Sequence, residues 1–197
     1  MAARSRGAPV GLKIVRVVGG VAGGRRLRAP VGRSIRPTSD RVREAVFDAL
    51  SSLGAVEDAT VVDLFAGTGA LGIEALSRGA SDVTFVDRDR AAASAIRSNL
   101  DAVGLASDNT HVVRSDVLRW LEAESRTFDL ALCDPPYDFT AWDRLFGLLS
   151  AGLAVLESAS PVEPAPGWVV RKTKRYGGTV VTLVQPLPHP VARKGGS

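Results

Sequence analysis

Residues 60–79 read TVVDLFAGTGALGIEALSRG, and the order of residue types along them decides the fold. Val61-Val62 and Leu64-Phe65 form a short apolar run broken by Asp63. The run passes into Ala66-Gly67-Thr68-Gly69-Ala70-Leu71-Gly72, and Ile73 to Ser77 then has helical character. A buried strand, a glycine turn and a helix N-terminus in that order make the first half of a nucleotide-binding βαβ unit. Gly67, Gly69 and Gly72 satisfy G-x-G-x-x-G, a spacing that lets the backbone turn tightly and a ligand approach without meeting a Cβ.

The turn alone leaves its ligand open. A dinucleotide needs its pyrophosphate at the helix N-terminus and a carboxylate about 20 residues further on for the ribose. Asp87 ends the next apolar run, Val83-Thr84-Phe85-Val86, and fits that ribose role. S-adenosylmethionine is held by the same strand, turn and acid but carries no phosphate. Asp63, beside the glycine turn, would repel a pyrophosphate and suits the ammonium of a methionine moiety. S-adenosylmethionine is therefore favoured over a dinucleotide and over a ligand-free structural turn.

Outward from this unit, strand and helix patterns alternate. A helix is expected over 89–103, a strand at His111-Val112-Val113, a helix over 117–124 and a strand at Phe128 to Cys133. A helix over 141–150 and a strand at 153–156 follow, then a proline-rich connection over 158–167. Strands at 168–173 and 179–184 pair around Tyr176-Gly177-Gly178. This is an α/β chain with a doubly wound, mostly parallel, seven-stranded Rossmann-like sheet closed by an antiparallel edge hairpin.

Before the unit, Val42, Ala45, Val46, Ala49, Leu50 and Leu53 recur at helical spacing, with Thr38 or Ser39 as the N-cap and Arg41 and Arg43 off the apolar face. Earlier still, Lys13 to Val18 and Arg25 to Arg28 flank Gly19-Gly20 and Gly23-Gly24. They are expected to form a small N-terminal β-hairpin whose arginines have little core to sit on. The expected division is a basic arm over 1–31 and a catalytic domain over 32–197.

The charge distribution points to a polyanion. Residues 1–43 hold eleven Lys/Arg and one acid, and residues 171–197 hold six Lys/Arg and no acid. The stretch between them is acidic, with twenty acids against eight arginines, and the chain as a whole carries +4. Basic ends on an acidic body suit a nucleic acid gripped from the ends, against the plainer alternative of solvated arginine-rich tails. The single cysteine, Cys133, excludes an internal disulfide and a cysteine zinc cluster. No apolar run reaches membrane-spanning length and MAARSRGAPVG has no signal-peptide core, so a cytoplasmic protein is expected.

Asp134-Pro135-Pro136-Tyr137 follows the Phe128–Cys133 strand, at the sheet edge where such folds place their sites. The prolines fix an extended kink and offer no N–H, so the lip is rich in acceptors. The Asp134 carboxylate and the Pro135 carbonyl can hold the two hydrogens of an exocyclic amine, and Tyr137 adds a stacking face. Such an amine is a poor nucleophile because its lone pair is delocalised into the ring. Hydrogen bonds that pyramidalise it aim that pair at an electrophilic methyl. Cys133 precedes the aspartate and should point into the sheet, so direct transfer without a covalent intermediate and without metal is expected.

Asp63 to Gly69, Asp87, Asp116 and D-P-P-Y together resemble the class I S-adenosylmethionine-dependent amino-methyltransferases. More specifically, the chain resembles the bacterial 16S ribosomal RNA guanine-N2 methyltransferases of the small subunit. The match rests on R-P-T-x-D-R-V-R-E-A-x-F (Arg36 to Phe47), D-L-F-A-G-T-G-x-L-G-x-E-A-x-S-R-G-A (Asp63 to Ala80) and D-P-P-Y. A glycine-rich arm over Val18 to Leu27 and a Tyr-Gly hairpin at Arg175-Tyr176-Gly177 resemble the family more loosely. The resemblance implies that Asp63 and Gly67, Thr68 and Gly69 hold the methionine end of the cofactor, with Phe65 and Ala66 beside them. It places Asp87 and the adjacent Arg88 at the ribose, and Asp116 and Val117 at the adenine. Asp134, Pro135 and Tyr137 would be catalytic. Arg25, Arg26, Arg28, Arg36 and Arg41 would contact RNA, with 16S rRNA as partner and a monomer as the acting species. The alternatives are an adenine-N6 or glutamine methyltransferase, for which N-P-P-Y is the commoner form, a nicotinamide dehydrogenase, and a non-catalytic RNA-binding assembly factor.

Overall fold

The computed structural model describes residues 15–29 and 40–188. In chain order the elements are β1 (Val15–Arg16), β2 (Arg26–Leu27), α1 (Asp40–Ser52), β3 (Thr60–Leu64), α2 (Ala70–Ser77), β4 (Asp82–Asp87) and α3 (Arg90–Val103). They continue with β5 (Thr110–Arg114), α4 (Val117–Ala123), β6 (Phe128–Cys133), α5 (Trp142–Leu148), β7 (Ala151–Ser158), β8 (Trp168–Tyr176) and β9 (Thr179–Pro186). The last seven strands form one sheet in the order β5-β4-β3-β6-β7-β9-β8, parallel except where β9 pairs with β7 and β8. The expected architecture is what folds. The strand order reverses beside β3, which puts a crevice at the carboxyl ends of β3 and β6.

β3, β4, β6 and β7 are buried on both faces because helices cover both sides of the sheet. Alternate residues therefore enter two separate cores. Val61, Val83, Phe85, Leu130, Leu132, Leu153 and Val155 pack on one side with α1, α2 and α3. Val62, Leu64, Val86, Ala131, Cys133, Ala154 and Leu156 pack on the other with α4 and α5. On the first side α2 lies so close to β4 that a methyl placed on Gly72 would sit 2.3 Å from the Phe85 ring. Gly72 serves this close helix–strand contact.

Four expectations need correction. β7 runs from Ala151 to Ser158, longer than 153–156, because both neighbouring strands extend its ladder. Arg43 lies off no apolar face: it is buried, with its guanidinium 3.0 Å from Asp40 and 3.8 Å from Glu74 and a hydrogen bond donated to the Arg16 carbonyl. Leu53, assigned to that face, is exposed instead. The expected N-cap at Thr38 or Ser39 and the division at residue 31 lie outside the described residues.

The fourth correction is the hairpin, which is not short of a core. Val15, Val17, Ala22 and Leu27 are buried against the α1–α2 side of the sheet. The fully buried Glu74 of α2 accepts hydrogen bonds from the N–H groups of Val18 (2.6 Å) and Gly19 (2.8 Å), and Arg78 completes the cluster at 2.8 Å. Asn99 of α3 accepts from the Arg28 N–H and donates to the carbonyls of Arg28 and Thr68, linking β2 to the glycine turn. Burial of the hairpin backbone thus relies on side chains of two helices, as buried peptide groups must find partners.

Candidate active site

The parity that separates the two cores also aims the acids. Asp63, Asp87, Asp134 and Glu157 share alternation with Val61, Phe85, Leu132 and Val155, so all four stand on the α1–α2 side at the carboxyl ends of their strands. They line one cavity of about 770 Å³ with the glycine turn, Asp116, the Pro135–Tyr137 segment and Thr179. Its size lies within the range of small-molecule sites. Of the residues expected to hold a cofactor, Asp63, Phe65, Ala66, Gly67, Thr68, Asp87, Arg88, Asp116 and Val117 all reach this cavity. Gly69, the N-cap of α2 with φ 77°, does not line it, although its neighbours Thr68 and Ala70 do.

The turn is held open by carboxylates. One Asp87 oxygen accepts the Gly67 N–H at 2.9 Å and the other accepts the Asp89 N–H at 2.8 Å. Asp63 accepts the Gly72 N–H at 2.9 Å. Burial pushes the Asp63 carboxyl well above its ordinary range; the Gly72 hydrogen bond opposes this, and the nearby Asp134, Asp87 and Glu157 add to it. A cation entering the cavity would relieve this concentration of negative charge. Among the described residues no three His, Cys, Asp or Glu side chains are grouped as a metal ion requires.

Phe65 occupies the left-handed region, with φ 62° at a non-glycine residue. Strain of this kind persists where the surroundings over-determine it, often at functional sites. Here the ring meets Phe139 edge-on at 5.1 Å, and Phe139 meets Trp142 at 5.0 Å, which ties the end of β3 to the loop after Asp134. Asp116 caps α4, accepting the N–H groups of Leu118 and Arg119 at 3.1 and 3.2 Å.

Pro135 is buried and Asp134 half-buried, whereas Tyr137 is 56% exposed at the rim. Cys133 is buried on the opposite face, and burial pushes its thiol far up, so it has no nucleophilic character. Arg25, Arg26, Arg28 and Arg41 are exposed, while Arg36 lies outside the described residues. His111 of β5 sits 2.9 Å from Asp82 of β4. Glu157 is not singled out by the sequence reading, although an acid ending an apolar run is the signal that marks Asp87.

The chain matches known proteins nearly end to end. The family described as Conserved hypothetical protein 95 matches residues 15–185. The chain is 34% identical to ribosomal RNA small subunit methyltransferase D of Escherichia coli over 87% of this chain and 89% of that one. It is 41% identical to the putative rRNA methyltransferase YlbH of Bacillus subtilis over 86% and 97%. The solved structure of the putative methyltransferase yhhF from Escherichia coli superposes with a TM-score of 0.77 at 32% identity, covering 88% of this chain and 98% of that one. These matches give the glycine turn, acidic strand ends and sheet order of this chain a family: it belongs to the ribosomal RNA small subunit methyltransferase D proteins, within the Conserved hypothetical protein 95 family.

Proposed function

We propose that this protein methylates the exocyclic N2 amine of a guanine in small-subunit ribosomal RNA. The observation that carries the proposal is that Asp134 and Pro135 open onto the same cavity as the glycine turn and Asp87. An acceptor-only lip thus faces a cofactor cradle across one connected space.

The cradle fits S-adenosylmethionine better than a dinucleotide. Its buried Asp63 and the neighbouring carboxylates favour a cation, and they would oppose a pyrophosphate. Asp63 and Gly67 to Gly69, with Phe65 and Ala66, would hold the methionine end. Asp87 and Arg88 would meet the ribose, and Asp116 and Val117 the adenine. S-adenosylmethionine supplies an electrophilic methyl group when bound there.

The remaining work falls to the chain. Asp134 and the Pro135 carbonyl accept the two N2 hydrogens and turn the amine lone pair away from the ring. Tyr137, at the rim, stacks on the base once it has left its helix. With no cysteine on this face, no covalent base adduct is needed. The hairpin arginines Arg25, Arg26 and Arg28, with Arg36 and Arg41, take RNA phosphates. Small-subunit particles and naked RNA incubated with isotope-labelled cofactor, then digested to nucleosides, test the proposal. N2-methylguanosine supports it, and N6-methyladenosine or no transfer refutes it.

A further inference from the structure

Glu157 lines the cavity, yet no direct contact to the cofactor and no part in orienting the amine is assigned to it. Leu156 pairs with Cys133 across β7 and β6, and each is followed by an acid: Glu157 within β7, and Asp134 just past the end of β6. Glu157 shares the alternation of Val155 on the α1–α2 side, and both acids line the cavity. Glu157 is 3% exposed, in a site that also contains Thr179 from β9. A carboxylate beside the amine-holding lip accepts hydrogen bonds through both oxygens when ionised.

On the pairing edge of guanine the N1–H donor is adjacent to the N2 amine. On adenine the position next to the N6 amine is N1, an acceptor. Resting on the guanine reading above, we propose that Glu157 accepts the N1–H of the target guanine and so restricts the reaction to that base. Asp134 and Glu157 then read two adjacent donors as a pair. An adenine in the same place would set its N1 lone pair against a carboxylate. Sites built around one buried hydrogen bond reject analogues that lack it strongly.

The test replaces the methylated guanosine, once located by nucleoside mapping, with 2-aminopurine in ligated small-subunit RNA. That base keeps the N2 amine and lacks N1–H. The wild-type protein should prefer guanine by about a hundredfold in kcat/KM, the order expected for one hydrogen bond to a charged group. Glu157→Gln, whose amide can donate to ring N1, should lose most activity on guanine, hold or gain on 2-aminopurine and collapse the ratio by about tenfold or more. Its affinity for S-adenosylmethionine by calorimetry should change much less than its rate on guanine. A purely structural role would lower both substrates alike, and that result overturns the inference, as does a wild-type protein that uses both bases equally. If the wild-type digest holds no N2-methylguanosine, the guanine reading itself falls, and this inference with it.

Discussion

The Asp63 carboxylate accepts the N–H of Gly72 at 2.9 Å, across the turn that separates β3 from α2. The bond orders the turn at the expense of a buried charge, because burial raises the Asp63 pKa above its ordinary 3.8. A raised carboxyl pKa favours the folded state fully below that value, and the advantage disappears as pH rises through the folded value. Above that window, Asp63→Asn should therefore melt at or above the wild-type temperature, since the amide keeps an acceptor for Gly72. A cationic ligand favours the ionised acid, so wild-type affinity for S-adenosylmethionine should rise with pH across the same window. The Asn variant should bind about tenfold or more weakly with a flatter pH profile. Calorimetry across pH and thermal melts check both; an Asn variant that binds as tightly removes Asp63 from the cofactor site.

Asp87→Ala should act on two properties at once. It removes an acceptor proposed for the ribose, which should weaken cofactor affinity about tenfold or more. It also strips the N–H groups of Gly67 and Asp89 of their partner. A loss of ~2 kcal/mol corresponds to a fall of about 4–8 °C in Tm for a chain of this size. Unchanged binding would move the ribose site elsewhere.

Deleting residues 1–29 should destabilise the protein, contrary to what the sequence implies. Val15, Val17 and Leu27 each bury a side chain worth about 1.5–3 kcal/mol, and Glu74 would lose two backbone donors. Circular dichroism melts of the truncated and full chains decide this. Coincident melts would mean that the hairpin contributes nothing to the fold.

The triple substitution of Arg25, Arg26 and Arg28 by alanine leaves that apolar face intact, since the three side chains are exposed. It should preserve Tm and cofactor affinity while weakening RNA binding. The slope of log affinity against log salt should become shallower by ~0.7–0.9 for each phosphate that is no longer neutralised. An unchanged slope places RNA binding on other residues.

What the sequence disclosed and what it hid follow from the range of the interactions. The β3 turn and the Asp134–Tyr137 segment are local: strand, glycine spacing and prolines write their conformation into adjacent residues. The sheet followed from alternation of apolar runs for the same reason. Arg43 was misplaced because its burial depends on Glu74, 31 positions away, and on the Arg16 carbonyl. The hairpin was judged coreless because its partners, Glu74 and Asn99, lie on helices that periodicity describes but does not dock. Glu157 carries a local signal too, an acid directly after the apolar run 153–156, but falls between the strand and the connection expected there.

The central claim is that Asp134 acts on the amine and not on the cofactor. Removing an interaction made mainly in the transition state lowers the rate and spares ground-state binding. Single-turnover methyl transfer and S-adenosylmethionine calorimetry on Asp134→Ala measure the two separately. Transfer to small-subunit RNA should fall by about a hundredfold or more, with cofactor affinity within about twofold of the wild type if binding is spared. An Asp134→Ala protein that keeps most of its turnover, or loses cofactor affinity in parallel with rate, would contradict it.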